Sequence, residues 1–207
     1  MTDVVVVDYG AGNLVSIEQA LLAGGATVRR AVTAAEIGVP ALLVVPGVGA
    51  AAPAMERLRA GGFVDPIRAW LTADRPFLGI CLGLQLLFDG SDEDGADTLG
   101  ILGGRTVRLD PAPTLPHIGW NQVERTREHP AFDGIAPGAD FYFVHSYAAV
   151  PTDPSVVLAE TGHGARFVSA VARGRLLGVQ FHPERSGTDG LRLLANVVRL
   201  AAAAGAA

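Results

Sequence analysis

Residues 76–84 read P-F-L-G-I-C-L-G-L, an apolar run that leads into Cys81, the only cysteine of the chain. The run predicts a strand over 76–80, and the spacing after it predicts the start of a helix over 82–88. G-x-C-x-G has the form of the nucleophile elbow, in which small flanking residues allow a strand to turn sharply into a helix. Ligands of open α/β sheets bind beyond the carboxyl ends of the strands, so Cys81 would lie where such a sheet holds its site.

The segments before this stretch alternate between strands and helices. Continuous apolar runs at 4–7 and 41–45 are typical of strands buried on both faces, and 26–30 predicts a further strand. Helical spacing covers 14–23 and 55–71. This alternation predicts an α/β fold with an open, mostly parallel sheet flanked by helices.

The second half of the chain has a different pattern, with short runs of mixed polarity joined by tight turns. Such runs indicate antiparallel pairing, so we expect an antiparallel-rich second half. The predicted strands are 105–109, 122–125, 141–149, 156–160, 167–173 and 175–181, and a closing helix covers 191–203. No repeat or linker divides the sequence, which predicts a single domain over residues 1–207.

Composition and charge argue against several functional classes. The formal net charge is -5, which gives no electrostatic support for binding nucleic acid. All 16 basic residues are arginines, which excludes a lysine nucleophile or Schiff base. A single cysteine cannot form an internal disulfide, and this fits a reducing compartment. No apolar run reaches the ~18 residues of a membrane span and the N-terminus lacks a basic n-region, so we expect a cytoplasmic protein with no membrane partner.

Cys81 taken alone is ambiguous. A helix that begins directly after it would direct free N–H groups and a partial positive charge at the sulfur, which favours the reactive thiolate. The N–H of Leu82 would then be placed to donate to a developing oxyanion. A cysteine beside apolar residues is, however, more often a small buried hydrophobe. A catalytic interpretation therefore requires a base elsewhere in the chain.

The best candidate for that base is His182, which follows an apolar strand and opens His182-Pro183-Glu184. Pro183 favours an extended conformation at His182, and residues two apart in extended chain point to the same side. The Glu184 carboxylate could then orient the imidazole, as in a catalytic triad. Three other histidines lie in loop-like sequence, where a surface position is expected: His117, His129 and His163.

The patterns required for metal and nucleotide sites are missing. The chain has no second cysteine and no H-x-x-x-H pair. Gly10-Ala11-Gly12 follows a strand, but Val15 occupies the third glycine position of G-x-G-x-x-G, and there is no Walker lysine. We therefore expect no metal and no cofactor.

Six sequence blocks occur in order across nearly the whole chain: D-Y-G-A-G-N, P-G-V-G, G-I-C-L-G-L-Q-L-L-F, H-I-G-W-N, V-H-S-Y and G-V-Q-F-H-P-E-R-S-G. With the order cysteine, histidine, glutamate they resemble the class I, triad-type glutamine amidotransferases. Within that family the set looks like the glutaminase subunit of imidazole glycerol phosphate synthase, from histidine biosynthesis. The resemblance implies a class I glutamine amidotransferase-like fold with a flavodoxin-like core.

The same resemblance implies a reaction. Cys81 attacks the side-chain carboxamide of glutamine, His182 transfers protons, and Glu184 holds His182 in place. The resulting glutamyl thioester is hydrolysed to glutamate. In the family the ammonia passes inside a partner cyclase, a (β/α)8 barrel, which makes imidazole glycerol phosphate and an aminoimidazole carboxamide ribonucleotide. The implied partners are L-glutamine and this cyclase subunit in a heterodimer.

The resemblance also assigns roles to other positions. The oxyanion hole would use the N–H groups of Val48 and Leu82, and the loop with Val48 is poorly set for catalysis in the family until the cyclase binds its ligand. Weak activity of the chain alone follows from this. His145 would be a structural neighbour of the site. The implied glutamine-binding residues are Gly47, Gly49, Gln85, Glu93, Ser146 and Tyr147. Those facing the cyclase are Asn13, Trp120, Tyr142 and Arg185, the last in place of the usual lysine.

Two alternatives stay open from sequence. One is a glutaminase that serves another synthase, such as one for pyridoxal phosphate or anthranilate, although H-I-G-W-N and D-Y-G-A-G-N argue against it. The other is a non-catalytic regulatory subunit, which would need a defect hidden behind an intact set of Cys81, His182 and Glu184.

Overall fold

The computed structural model describes residues 1–205 and shows a large mixed sheet flanked by helices. The α-helices of this part of the chain are α1 (Leu14–Ala23), α2 (Ala51–Ala60), α3 (Val64–Thr72), α4 (Leu82–Gln85) and α5 (Gly187–Ala204). The strands are β1 (Thr2–Val7), β2 (Ala26–Ala31), β3 (Leu42–Gly47), β4 (Phe77–Cys81), β5 (Gly90–Ser91), β6 (Gly104–Arg108), β7 (His117–Arg125), β8 (Ala139–His145), β9 (Tyr147–Pro151), β10 (Val157–His163), β11 (Ala165–Arg173) and β12 (Leu176–Val179).

The sheet divides into the two halves that the sequence predicts. Its main path runs β2-β1-β3-β4-β12-β11-β10-β7-β8. All pairs from β2 through β4 to β12 are parallel. The pairs from β12 through β11, β10 and β7 to β8 are antiparallel. The α/β class with an antiparallel-rich second half is therefore confirmed.

The parallel half explains the continuous apolar runs. β1 lies between two strands, and successive side chains of a strand point to opposite faces. Val4 and Val6 pack into the core on one face, whereas Val5 and Val7 pack into the core on the other. A strand that is covered on both faces has no position for a polar side chain, so its sequence does not alternate.

Two predicted elements are each split in the structure. The helix expected over 55–71 is two helices, because the chain turns at Gly61 and Gly62 and the latter has φ 70°. The strand expected over 141–149 is likewise divided into β8 and β9 around Ser146. The second break places Ser146 and Tyr147 beside a cavity that Cys81 also lines.

None of the helices within residues 1–205 combines the length and the apolar character that crossing a membrane requires.

Candidate active site

Cys81 is the last residue of β4 and stands in a strained conformation, with φ 53° and ψ -107°. The turn is possible because its neighbours approach very closely. A Cβ added at Gly79 would lie 2.6 Å from the carbonyl oxygen of Gly83, and one added at Gly83 would overlap the carbonyl oxygen of Val45. The glycines of G-x-C-x-G therefore make room for backbone on both sides of the cysteine, which is the geometry of a nucleophile elbow.

The helix after Cys81 is shorter than the sequence predicts. α4 ends at Gln85, because the carbonyl oxygens that would continue it accept bonds from a distant loop. Gly100 donates its N–H to Phe88, while Ile101 and Leu102 donate theirs to Leu87. A helix of one turn has a small macrodipole, so the expected support for a thiolate from this helix is largely lost.

His182 and Glu184 form a buried hydrogen-bonded pair. Nδ1 of His182 is 2.9 Å from Oε1 of Glu184, and both side chains are almost inaccessible to solvent. His182 is extended as predicted, but residues 183–185 form a 3-10 turn, so the turn and not an extended strand brings the pair together. Among residues 1–205, neither Nε2 of His182 nor Oε2 of Glu184 has a hydrogen-bond partner.

The electrostatics of His182 link it to the cysteine. Burial lowers the pKa of the imidazole, but the Cys81 sulfur and the Glu184 carboxylate together outweigh burial and raise it to about 10. Three bonds fix the backbone of His182: its N–H donates to the carbonyl oxygen of Tyr142, and its own carbonyl oxygen accepts from the N–H of Arg185 and from the Ser186 hydroxyl at 2.6 Å. The imidazole thus lies between a sulfur and a carboxylate that both favour its protonated form, which is the arrangement of a cysteine nucleophile with a base and its orienting group.

A cavity of about 280 Å³ opens in front of Cys81. This is close to the lower end of the roughly 300–1,000 Å³ typical of small-molecule sites. Of the residues assigned to glutamine binding or the oxyanion hole, the structure brings six to its wall: Val48, Gly49, Gln85, Glu93, Ser146 and Tyr147. Gly47 pairs with Cys81 in the sheet and lines a second, smaller cavity. The Leu82 side chain is buried.

A smaller cavity of about 70 Å³ adjoins the imidazole. His182 and Glu184 line it together with Asn13 and Arg185. Val48 borders both cavities and its side chain is half exposed. The loop that carries Val48 therefore separates the cavity in front of Cys81 from a second space that leads toward the positions assigned to the cyclase.

Glu93 lies at the mouth of the larger cavity on an exposed acidic loop. Partial burial and the neighbouring Asp94 raise the pKa of its carboxyl group. Asp94 itself accepts a hydrogen bond of 2.6 Å from the N–H of Ala52, which is in the first turn of α2. The loop is therefore attached to a helix, and Glu93 faces the cavity while its neighbour serves as the anchor.

The expectation that His117 lies on the surface is wrong. His117 is buried in β7, where its Nδ1 is 3.1 Å from Nε2 of His145, its direct partner on β8. Nδ1 of His145 is in turn 2.8 Å from the carbonyl oxygen of Tyr147. His145 itself lines the cavity, and His117 supports it through the hydrogen bond between the two rings.

Three of the four residues assigned to the cyclase face lie side by side. The guanidinium of Arg185 is 4.2 Å from the centre of the Tyr142 ring, a cation–π contact, and Trp120 meets the same ring edge to face at 6.2 Å. The Trp120 side chain is 57% exposed, and Ile118 on the same side of β7 is 59% exposed. Asn13 is separated from Arg185 by the smaller cavity.

Two residues near Cys81 were not predicted from sequence. Gln180 is fully buried and its Nε2 is 3.5 Å from the Cys81 sulfur. Tyr9 is buried and donates its hydroxyl hydrogen to the carbonyl oxygen of Pro46 at 2.8 Å, just before the loop with Val48. Burial, and then the nearby Cys81, raise the pKa of Tyr9. The position of Gln180 beside the cysteine results from the pairing of β12 with β4, and this pairing could not be predicted from the sequence.

Comparison with known proteins agrees with this geometry. A family model described as glutamine amidotransferase class-I matches residues 5–200. Imidazole glycerol phosphate synthase subunit HisH of Synechococcus sp. (strain JA-3-3Ab) is 48% identical over 201 residues, which cover 95% of this chain and 93% of the relative. The protein of the same name from Dehalococcoides mccartyi (strain CBDB1) is 43% identical, with 96% and 97% covered.

Solved structures share the fold at much lower identity. A crystal structure of a glutamine amidotransferase superposes with a TM-score of 0.73 at 23% identity, covering 96% of this chain and 98% of that one. The structure of PurLQS from Thermotoga maritima gives a TM-score of 0.77 at 16% identity, covering 97% and 99%. The chain belongs to the class I glutamine amidotransferase family and, within it, to the family of imidazole glycerol phosphate synthase subunit HisH.

Proposed function

We propose that the chain hydrolyses L-glutamine to glutamate and ammonia and delivers the ammonia to a cyclase subunit in histidine biosynthesis. The observation that carries this proposal is the buried pair of His182 and Glu184 beside a cysteine that opens onto a small cavity. The name of the relatives, imidazole glycerol phosphate synthase subunit, supports the choice of partner. No metal or cofactor enters the proposed reaction.

Cys81, His182 and Glu184 are the proposed catalytic residues. The thiolate of Cys81 bonds to the carboxamide carbon of glutamine, and His182 gives its proton to the nitrogen that leaves as ammonia. Water then attacks the thioester, His182 takes a proton from it, and the sulfur leaves with the electron pair of the C–S bond. Glu184 keeps the imidazole oriented and favours its cationic form.

The oxyanion of each tetrahedral intermediate would be bound by the N–H groups of Val48 and Leu82. Support for this role comes from the position of Val48 at the border of both cavities, next to glycines that permit a peptide flip. The substrate would occupy the larger cavity, in contact with Gln85, Glu93, Ser146 and Tyr147. Gly47 and Gly49 would shape the loop rather than bind through side chains.

The partner in this proposal is a (β/α)8-barrel cyclase that forms a heterodimer with the chain. It would bind the face formed by Trp120, Tyr142 and Arg185, with Asn13 on the other side of the smaller cavity. An apolar, exposed tryptophan beside a cation–π pair is the kind of group that anchors protein interfaces. The ammonia would leave through the smaller cavity, because that space joins the imidazole to this face.

We also propose that residues 1–207 form one domain that acts in the cytoplasm. One sheet joins the parallel and antiparallel halves, and a core cluster covers each of its two faces. The single cysteine is free, as a reducing compartment would allow.

Replacement of the nucleophile tests the proposed function. Cys81→Ala in the complex with the cyclase should reduce glutamine-dependent product formation to background, because Cys81 is the only cysteine and its sulfur is the proposed nucleophile. The cyclase should still use ammonium salts at the wild-type rate, which serves as the internal control for assembly. Glutamine-dependent turnover by the variant would refute the role of Cys81.

A further inference from the structure

A buried amide lies directly beside the nucleophile. β12 and β4 are parallel neighbours whose register ends with Val179 opposite Ile80. Gln180, the residue after β12, therefore comes beside Cys81, the last residue of β4. The side chain of Gln180 is fully buried and its Nε2 is 3.5 Å from the sulfur. The position follows from the strand pairing and not from a flexible loop.

The orientation of this amide is fixed by its partners. The carbonyl oxygen of Tyr147 can only accept, so the atom of Gln85 that lies 3.0 Å from it must be the donor Nε2. The same Nε2 is 3.0 Å from Oε1 of Gln180. Because the oxygen of Gln180 faces Gln85, its N–H group must face the sulfur of Cys81.

We propose that Gln180 is a further catalytic residue, which donates a hydrogen bond to the Cys81 sulfur and stabilises its thiolate. This inference rests on the proposed role of Cys81 as nucleophile. It also supplies what the short helix α4 does not, since a single turn has little dipole to offer. The sulfur would then be stabilised both by the positive charge of His182 and by the Gln180 amide, which takes no part in proton transfer.

The proposed donor acts in two states of the cycle. Before attack, the N–H of Gln180 stabilises the negative sulfur, and this interaction weakens once the S–C bond has formed and the sulfur is neutral. During hydrolysis the C–S bond breaks and its electron pair returns to sulfur, where the same N–H again meets a developing charge. Gln180 should therefore assist release of the thiolate from the thioester more than formation of the thioester.

Gln85 connects this donor to the substrate cavity. It lines the cavity, and its Nε2 holds both the Tyr147 carbonyl oxygen and the Gln180 amide. Replacement of Gln85 should therefore alter the cysteine as well as substrate binding, because the Gln180 amide would lose the partner that orients it.

The test is the rate at which iodoacetamide alkylates Cys81 in the full chain, measured from pH 6 to pH 10. Cys81 is the only cysteine, so the mass of the product reports this site alone. Gln180→Met keeps the volume of the side chain and removes the donor. We expect alkylation about tenfold slower than wild type near neutral pH, the size of a hydrogen bond to a charged group. Gln19→Leu, on the exposed face of α1, should react at the wild-type rate.

The pH profile separates stabilisation of the thiolate from loss of access. With Gln180→Met the rate should approach that of wild type at high pH, where the thiol is ionised without help. A rate equal to wild type at neutral pH, or one equally reduced at every pH, would overturn the inference. Should this variant fail to fold, Gln180→Leu serves in its place under the same criteria. The assay needs neither glutamine nor cyclase, so its outcome is independent of the Cys81→Ala test.

Discussion

Cys81 combines a reactive side chain with an unfavourable backbone. Its φ of 53° and ψ of -107° are rare for residues with a Cβ, and such conformations cost on the order of 1–3 kcal/mol. The mirror image of this conformation is ordinary extended chain, so glycine reaches it freely. The close approach of Gly79, Gly83 and Val45 holds the cysteine in place despite the cost.

This strain predicts that glycine at position 81 gives a more stable protein than alanine, the reverse of their usual order of stability. Cys81→Gly should be about 1 kcal/mol more stable to urea than Cys81→Ala, because only the alanine has a Cβ in the strained conformation. At Ala69, exposed within helix α3, Ala69→Gly should instead cost about 1 kcal/mol. If Cys81→Ala were the more stable of the two cysteine variants, the strain would not be real.

At the scale of elements, the wall of the substrate cavity depends on two paired strands. His117 on β7 and His145 on β8 are direct partners in the register. Burial lowers the pKa of His145 to about 3, although its bond to the Tyr147 carbonyl oxygen acts in the opposite direction. Burial, and then His163, lower the pKa of His117 to about 4. Both rings are therefore neutral at physiological pH. The amide of Asn121 donates to His117, the His117 ring donates to His145, and the His145 ring donates to the carbonyl oxygen of Tyr147.

The neutral pair predicts a loss of stability in acid. Both folded pKa values lie below the value of about 6.5 expected for unfolded histidine, so the unfolded chain binds more protons as the pH falls from 6.5 toward 4. The free energy of unfolding should fall by up to about 1.4 kcal/mol per pH unit for each histidine. In urea titrations at several pH values, the free energy of unfolding of His117→Gln should therefore fall less steeply with decreasing pH than that of wild type, by the contribution of one histidine. Parallel curves for wild type and variant would contradict this account.

Some of these elements could be predicted from the sequence and others could not. The runs at β1, β3 and β4 predicted the parallel half, because strands covered on both faces leave a continuous apolar pattern. His182 and Glu184 were found because their chemistry is local to three residues. His117 was misplaced because the groups that bury it, such as Phe143 and His163, come from distant strands. The early end of α4 and the position of Gln180 were missed for the same reason: both depend on tertiary contacts.

On the scale of the whole molecule, the proposed reaction depends on a surface that the free chain leaves uncovered. Trp120 and Ile118 are exposed apolar side chains on one face of β7. Tyr142 and Arg185 extend this face toward the smaller cavity that the imidazole lines. A partner bound here would cover the exit from the active site and would lie close to the loop with Val48.

Trp120→Ala should therefore weaken binding of the cyclase by at least tenfold, since buried tryptophans commonly contribute about 2 kcal/mol or more to an interface. The affinity can be measured by titration calorimetry with the purified cyclase. Val39→Ala is a suitable control, because Val39 is exposed but precedes β3 at the opposite end of the sheet. Unchanged affinity of the Trp120 variant would place the cyclase on another face.

In the proposed reaction, Cys81, His182 and Glu184 form a glutaminase whose oxyanion loop is set by the partner. Glutamate release from glutamine tests it directly when measured for the chain alone, with the cyclase, and with the cyclase and its nucleotide ligand. We expect slow release by the chain alone and the fastest release when both partner and ligand are present, with none from Cys81→Ala. Equal rates in all three conditions would contradict the gated loop, and release by the Cys81→Ala variant would contradict the triad itself.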